Sequence, residues 1–287
     1  MLLTLTATSL RSLFAKGRGG RAKLELLDLP RYTREELGLH GLNLSTDLLV
    51  GVSRETLERL RERADKAGCA CLLLIESDPQ AFGDATESAA SAAVERMQRV
   101  IQAASILGCN AVAVRATGED DTGVFARTAE RMRKAVERAE KLELNLLIAP
   151  HEGLTQTPER ITDLIKKVGG FRVGTFPDFQ AAAGSADPIN YLRRLTPYAS
   201  VVSATTVKFA AGKGDKDAET VDTSAPVKHQ SYDLEPLINA ILSVGYDGTL
   251  GIDYRGTGDP KIGVIRSRIA LEALLDVDDL PDDEEAE

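Results

Sequence analysis

Eight short β-like segments, each followed by a helical pattern, predict a (β/α)8 TIM barrel built as a single α/β domain over residues 1–275. Three observations carry this. The alternation runs from end to end, and eight is the strand number that closes a barrel. No Gly-x-Gly-x-x-Gly follows the first strand, and the cluster Gly17, Gly19, Gly20 lacks the spacing and helix start of a dinucleotide turn, which sets aside a doubly wound sheet. A chain of 287 residues with 43% hydrophobic and 28% charged residues suits one such domain.

The expected strands are Leu2–Thr8, Leu39–Leu44, Cys71–Glu76, Ala111–Arg115, Leu144–His151, Arg172–Asp178, Ser200–Thr206 and Thr249–Tyr254. Between them, apolar residues at i, i+3, i+4 spacing predict helices such as Arg54–Ala67, Glu87–Leu107, Thr122–Leu142, Pro158–Val168 and Leu234–Val244. Local signals set their ends. Ser53 precedes the first of these helices, Thr157-Pro158 supplies a capping hydroxyl and a first-turn proline, Gly169-Gly170 stops that helix, and Asp187-Pro188 opens another. Val207–Ser231 is a long polar segment, read as either a lid or an insertion. The tail 276–287 carries eight acids and no base and is expected to be solvated and frayed.

Composition excludes several function classes. No apolar run approaches the ~18–20 residues that span a bilayer. The net charge of −9 comes almost wholly from the acidic tail, so the body carries no basic excess for nucleic acid. Cys69, Cys71 and Cys109 sit among apolar residues without zinc or redox spacing, which predicts buried free thiols and a reducing, cytoplasmic setting. Met1–Lys23, basic and without an acid, superficially resembles a transit peptide, but removing Leu2–Thr8 would leave seven strands and an open seam.

A barrel carries its chemistry at the C-terminal ends of its strands, and a period of two sorts the inward side chains. The phase is assumed, with support from small residues at Gly174 and Gly251, where a barrel interior narrows. The resulting mouth is polar: Glu76, Arg115, His151, Asp178, Asp253 and Arg255, with Val201, Ser203 and Thr205 sharing the inward face of the seventh strand. Glu76–Arg115 and Asp253–Arg255 also read as plain ion pairs.

Four stretches resemble the xylose isomerase-like TIM-barrel family of sugar isomerases and epimerases. They are Asn145-Leu-Leu-Ile-Ala-Pro-His-Glu-Gly153, Thr157-Pro-Glu-Arg-Ile161, Gly174-Thr-Phe-Pro-Asp178 and Gly245-Tyr-Asp-Gly-Thr-Leu-Gly-Ile-Asp-Tyr-Arg-Gly256. The resemblance implies a divalent metal held by a glutamate, an aspartate, a histidine and a second glutamate on the last four strands, with the glutamates moving the substrate proton. Here those positions read Ala149, Asp178, Ser203 and Asp253. With two of four ligands left, no cofactor is firmly predicted, and Mn²⁺ or Mg²⁺ at Asp178 and Asp253 would be held weakly.

The expectation is therefore a sugar isomerase- or epimerase-like protein with a degenerate metal site. Asp253 and His151 are its candidate acid/base groups, and Arg115 or Lys208 would stabilise enediolate charge. Glu76, Arg255 and Ser203 would contact substrate. The alternative is a catalytically silent relative, a pseudoenzyme that binds a sugar-like ligand or partners an active paralogue. The expected partner is a small polyol, and an apolar helix face would serve a homodimer or a hetero-partner.

Overall fold

The computed structural model describes residues 1–15, 22–210 and 227–275. Eight parallel strands form one sheet: β1 Leu2–Thr6, β2 Gly41–Ser45, β3 Ala70–Ile75, β4 Ala111–Arg115, β5 Asn145–Ala149, β6 Val173–Thr175, β7 Val201–Thr206 and β8 Thr249–Tyr254. Their order is β6-β5-β4-β3-β2-β1-β8-β7. The two ends meet through parallel bridges between Thr175 and Ala199 and between Asp178 and Ser203, which close the ring. This is a TIM barrel.

The helices are α1 Arg11–Phe14, α2 Leu29–Leu37, α3 Arg54–Ala67, α4 Glu87–Leu107, α5 Thr122–Lys141, α6 Pro158–Val168, α7 Phe179–Ala183, α8 Pro188–Leu195, α9 Glu235–Leu242 and α10 Pro260–Leu275. Caps formed by side chains explain several starts. Ser53 accepts from the Thr56 amide, Thr157 from Arg160 and Asp187 from Asn190, each satisfying an amide the helix cannot. Gly38, Gly68 and Gly108 end α2, α3 and α4 in the left-handed region that glycine enters without strain. The helices pack their apolar stripes on the outer face of the sheet, around residues such as Leu42, Leu74, Val112 and Ile148.

Three expected strands end early, each for a local reason. β1 stops at Thr6, where Ala7–Leu10 coils into a 3-10 turn. β6 ends at Thr175, since Pro177 offers no amide to the ladder and Asp178 caps α7 through the Ala181 amide. Leu144–His151 shortens to β5, and Pro150 follows it. The segment after β7 turns back on itself through an antiparallel bridge between Phe209 and His229. Residues 211–226, where a lid would lie, and the acidic tail fall outside the described residues. No helix is long and apolar enough to cross a membrane among the described residues.

Candidate functional site

The barrel interior has two unlike halves. Leu73, Ala111, Ala113, Leu147, Ala149 and Phe176 form an apolar wall along β3 to β5 and the end of β6. The wall of β1, β2 and the upper part of β7 is polar. Thr4, Thr6, Asn43, Ser203 and Thr205 are all buried, and Asn43 Nδ2 donates to Thr4 Oγ1 at 3.0 Å. Gly251 belongs to this half for a steric reason, as a Cβ there would stand 2.4 Å from Asn43 Nδ2. Gly174 is equally constrained, with the Tyr198 carbonyl oxygen 2.3 Å from a Cβ position. The phase expected from these two glycines therefore holds.

Above this interior, at the C-terminal strand ends, opens a cavity of about 1200 Å³. Its centre is a three-residue bridge. Arg255 Nε donates to Asp253 Oδ2 at 2.8 Å, Arg255 Nη2 to Asp178 Oδ2 at 2.7 Å, and Arg255 Nη1 to Gln180 Oε1 at 2.8 Å. Thr205 Oγ1 also donates to Asp178 Oδ2, at 2.8 Å, and Thr8 Oγ1 to Asp253 Oδ1, at 3.3 Å. Both carboxylates are buried, at 8% and 6% exposure. Burial lifts the Asp253 pKa above the usual carboxylate range against the pull of Arg255. Burial also works against charge on Arg255, but the two carboxylates outweigh it and raise its pKa.

The other residues expected at the mouth separate. Glu76 is fully buried and held by Arg96, with Nε donating to Oε2 at 2.8 Å, while its Oε1 accepts from the Asp78 amide at 3.1 Å. Its ion-pair partner is thus Arg96 of α4 and not Arg115. Arg115 lines the cavity at the end of β4 and donates to the Ser77 carbonyl. Ser203 is 1% exposed and lies one layer below the cavity, level with Gly251, and Thr205 is the β7 residue level with Asp253. His151 bridges Thr155 in the loop after β5 and is not among the cavity-lining residues. Burial and the nearby Arg115 charge lower its pKa. Lys208 is exposed beyond β7 and does not line the cavity.

Two groups have roles that the sequence reading did not assign. The period of two places Thr205 on the inward face with Ser203, but its bond to Asp178 depends on the closure of the ring. His229 carries no local signal. Its Nε2 accepts from the Val207 amide at 3.0 Å and its Nδ1 donates to the Tyr232 carbonyl at 2.8 Å, which fixes the neutral Nδ1–H tautomer. Tyr232 in turn donates to the Thr205 carbonyl at 2.5 Å, so this pair pins the upper end of β7.

Among the described residues no group of three or more His, Cys, Asp or Glu side chains is arranged to hold a metal ion. A closed ring of eight parallel strands, with a polar cavity at their C-terminal ends, defines a TIM-barrel protein. The family model described as xylose isomerase-like TIM barrel matches residues 34–274, and the chain belongs to that family. A search of curated proteins finds no match. Among solved structures, L-ribulose 3-epimerase superposes with a TM-score of 0.76 at 13% identity, covering 100% of this chain and 99% of that one. The 3-keto-D-glucoside 4-epimerase of E. coli gives 0.71 at 14% identity, covering 96% and 99%. The D-psicose 3-epimerase of Clostridium cellulolyticum H10, with D-tagatose, gives 0.69 at 14% identity, covering 96% and 98%. At these identities the likeness is one of fold.

Proposed function

We propose that this chain is a metal-independent member of its family whose cavity binds a small polyol or keto-sugar. Arg255 stands between Asp178 and Asp253, where the family's divalent ion would otherwise draw on both carboxylates. That bridge is the observation that carries the reading. The donor set fits a divalent ion poorly, because both carboxylates already pair with one guanidinium, Ala149 offers no oxygen, and the neighbouring donors are hydroxyls. A guanidinium between two carboxylates gives planar, directional hydrogen bonding and no open coordination position.

The test is a calorimetric titration with Mn²⁺ of protein purified without chelator. Wild type is expected to give no binding heat at micromolar metal, and stoichiometric micromolar binding would overturn the reading.

A second reading, catalysis, is favoured by one observation: burial raises the Asp253 pKa while Arg255 lies against it. Asp253 would take a proton from a carbon beside a carbonyl, and Arg255 would face the developing enediolate charge. One carboxylate returns the proton to the face it came from, which suits isomerisation better than epimerisation. Exchange of a ketose C–H proton with solvent deuterium, lost in Asp253→Asn, is the expected result. Without exchange, the cavity is a binding site only.

A further inference from the structure

Three arginines line the cavity, and two are neutralised within it. Arg11 closes on Asp47 at 2.5 Å, and Arg255 on Asp178 and Asp253. Arg115 differs, with its one hydrogen bond going to the uncharged Ser77 carbonyl and no ion pair among the described residues. Of the carboxylates nearest in sequence to Ser77, Glu76 is already held by Arg96, and Asp78 makes no ion pair with Arg115. Arg115 pairs with Ala149 in the sheet, at the top of the apolar wall that includes Ala113 and Phe176. It is partly buried, so water does not fully replace the missing anion. A guanidinium presents five N–H donors in a planar fork, and one bond leaves most of them unspent.

We propose that Arg115 is the anion anchor of this cavity and that the ligand is a polyol carrying a single carboxylate, of the uronate class. The proposal rests on the sugar-binding reading above and names the ligand class for it. A carboxylate matches the guanidinium fork in two parallel hydrogen bonds. β4 and β8 lie four strands apart in a ring of eight, so Arg115 and Asp253 face each other across the mouth. A carboxylate on Arg115 therefore sends the hydroxyl-bearing carbons towards Asp253, Thr8 and Arg255, and keeps the anion away from Asp178 and Asp253. The lining carries five carboxylates, Asp47, Glu76, Asp78, Asp178 and Asp253, against three arginines, which disfavours a phosphate dianion, whereas a single negative charge is tolerated beside Arg115 because Glu76 there is already paired with Arg96.

The experiment is calorimetry on the full chain with matched pairs: D-glucose and D-glucuronate, D-galactose and D-galacturonate, D-mannose and D-mannuronate, with D-glucose 6-phosphate as a second anion. At least one uronate is expected to bind tenfold or more tightly than its neutral partner. Arg115→Gln should bring that ratio close to one, and Arg115→Lys should restore part of it, which separates lost recognition from lost folding. Equal affinity within every pair, or a preference that survives Arg115→Gln, overturns the proposal and leaves the sugar reading standing. Tighter binding of the phosphate than of any uronate overturns the carboxylate assignment. Failure of every sugar and every uronate to bind overturns the sugar reading and this proposal with it.

Discussion

Thr205 donates its hydroxyl to Asp178 across the seam where β6 and β7 close the barrel. Backbone pairing is sparse there, so a side chain carries part of the closure. Thr205→Val removes the donor and keeps the shape. It is expected to destabilise the fold by about 1–2 kcal/mol, as for a lost buried bond to a charged acceptor, and Thr205→Ser should recover most of it. Urea denaturation measures both.

Arg255→Gln tests the bridge itself. Two buried carboxylates would lose their shared cation, at an expected cost of about 1–3 kcal/mol at pH 7, moderated because Arg255 is 43% exposed. The sign with pH is informative. Asp253 has a raised pKa in the fold, so the folded chain holds its proton more tightly than the unfolded one, and its contribution falls as pH rises through that raised value. Without Arg255 the Asp253 pKa moves higher still. The variant's deficit should therefore be larger at pH 7 than at pH 4.5 in thermal melts.

His229 should act as an acid-sensitive lock on β7. Burial lowers its pKa, partly opposed by the Tyr232 carbonyl. The unfolded chain then takes up the proton first as pH falls, so the stability His229 provides is complete above about 6.5 and is lost below it. His229→Gln is expected to lower Tm at pH 7.5 and to flatten the decline between pH 7 and 5. His151 pushes the same way, so His151→Asn serves as the comparison.

Gly174→Ala would push a methyl group against the Tyr198 carbonyl oxygen, which cannot move without shifting the start of β7. An overpacking cost of about 1–3 kcal/mol is expected, read as a lower urea midpoint with an unchanged slope.

The three thiols are all buried, and burial pushes Cys69 and Cys71 up to about 12 and Cys109 well above its ordinary value. A thiol reagent at pH 8 should leave the native protein unlabelled and label all three in urea. Rapid labelling of the native chain would contradict the burial.

The strand count, the inward phase and helices such as Arg54–Ala67, Glu87–Leu107 and Pro158–Val168 were legible because local periodicity and caps encode them. α7 was not. Its cap is Asp178, which reads equally well as a site residue, and five residues hold too little of the helical period to register. In the site, a period of two put Asp253 and Arg255 on one face. It could not tell that Arg255 reaches Asp178, 77 positions away in sequence, because that contact depends on the curvature of the closed ring. Glu76 shows the converse. It lies at a strand end as expected, but Arg96 approaches it from a helix whose rotation about its axis the pattern does not specify to that accuracy.

The division of the interior into a hydroxyl-rich half and an apolar half reaches the cavity floor, where Thr6 and Ser45 stand on one side and Ala149 and Phe176 on the other. Any molecule resting on that floor would meet hydrogen-bonding partners on one side only. A polar group turned towards Ala149 and Phe176 would go without a partner, at about 1–3 kcal/mol for each one stranded. The floor would thus orient a guest about the barrel axis before any charged group at the mouth came into play.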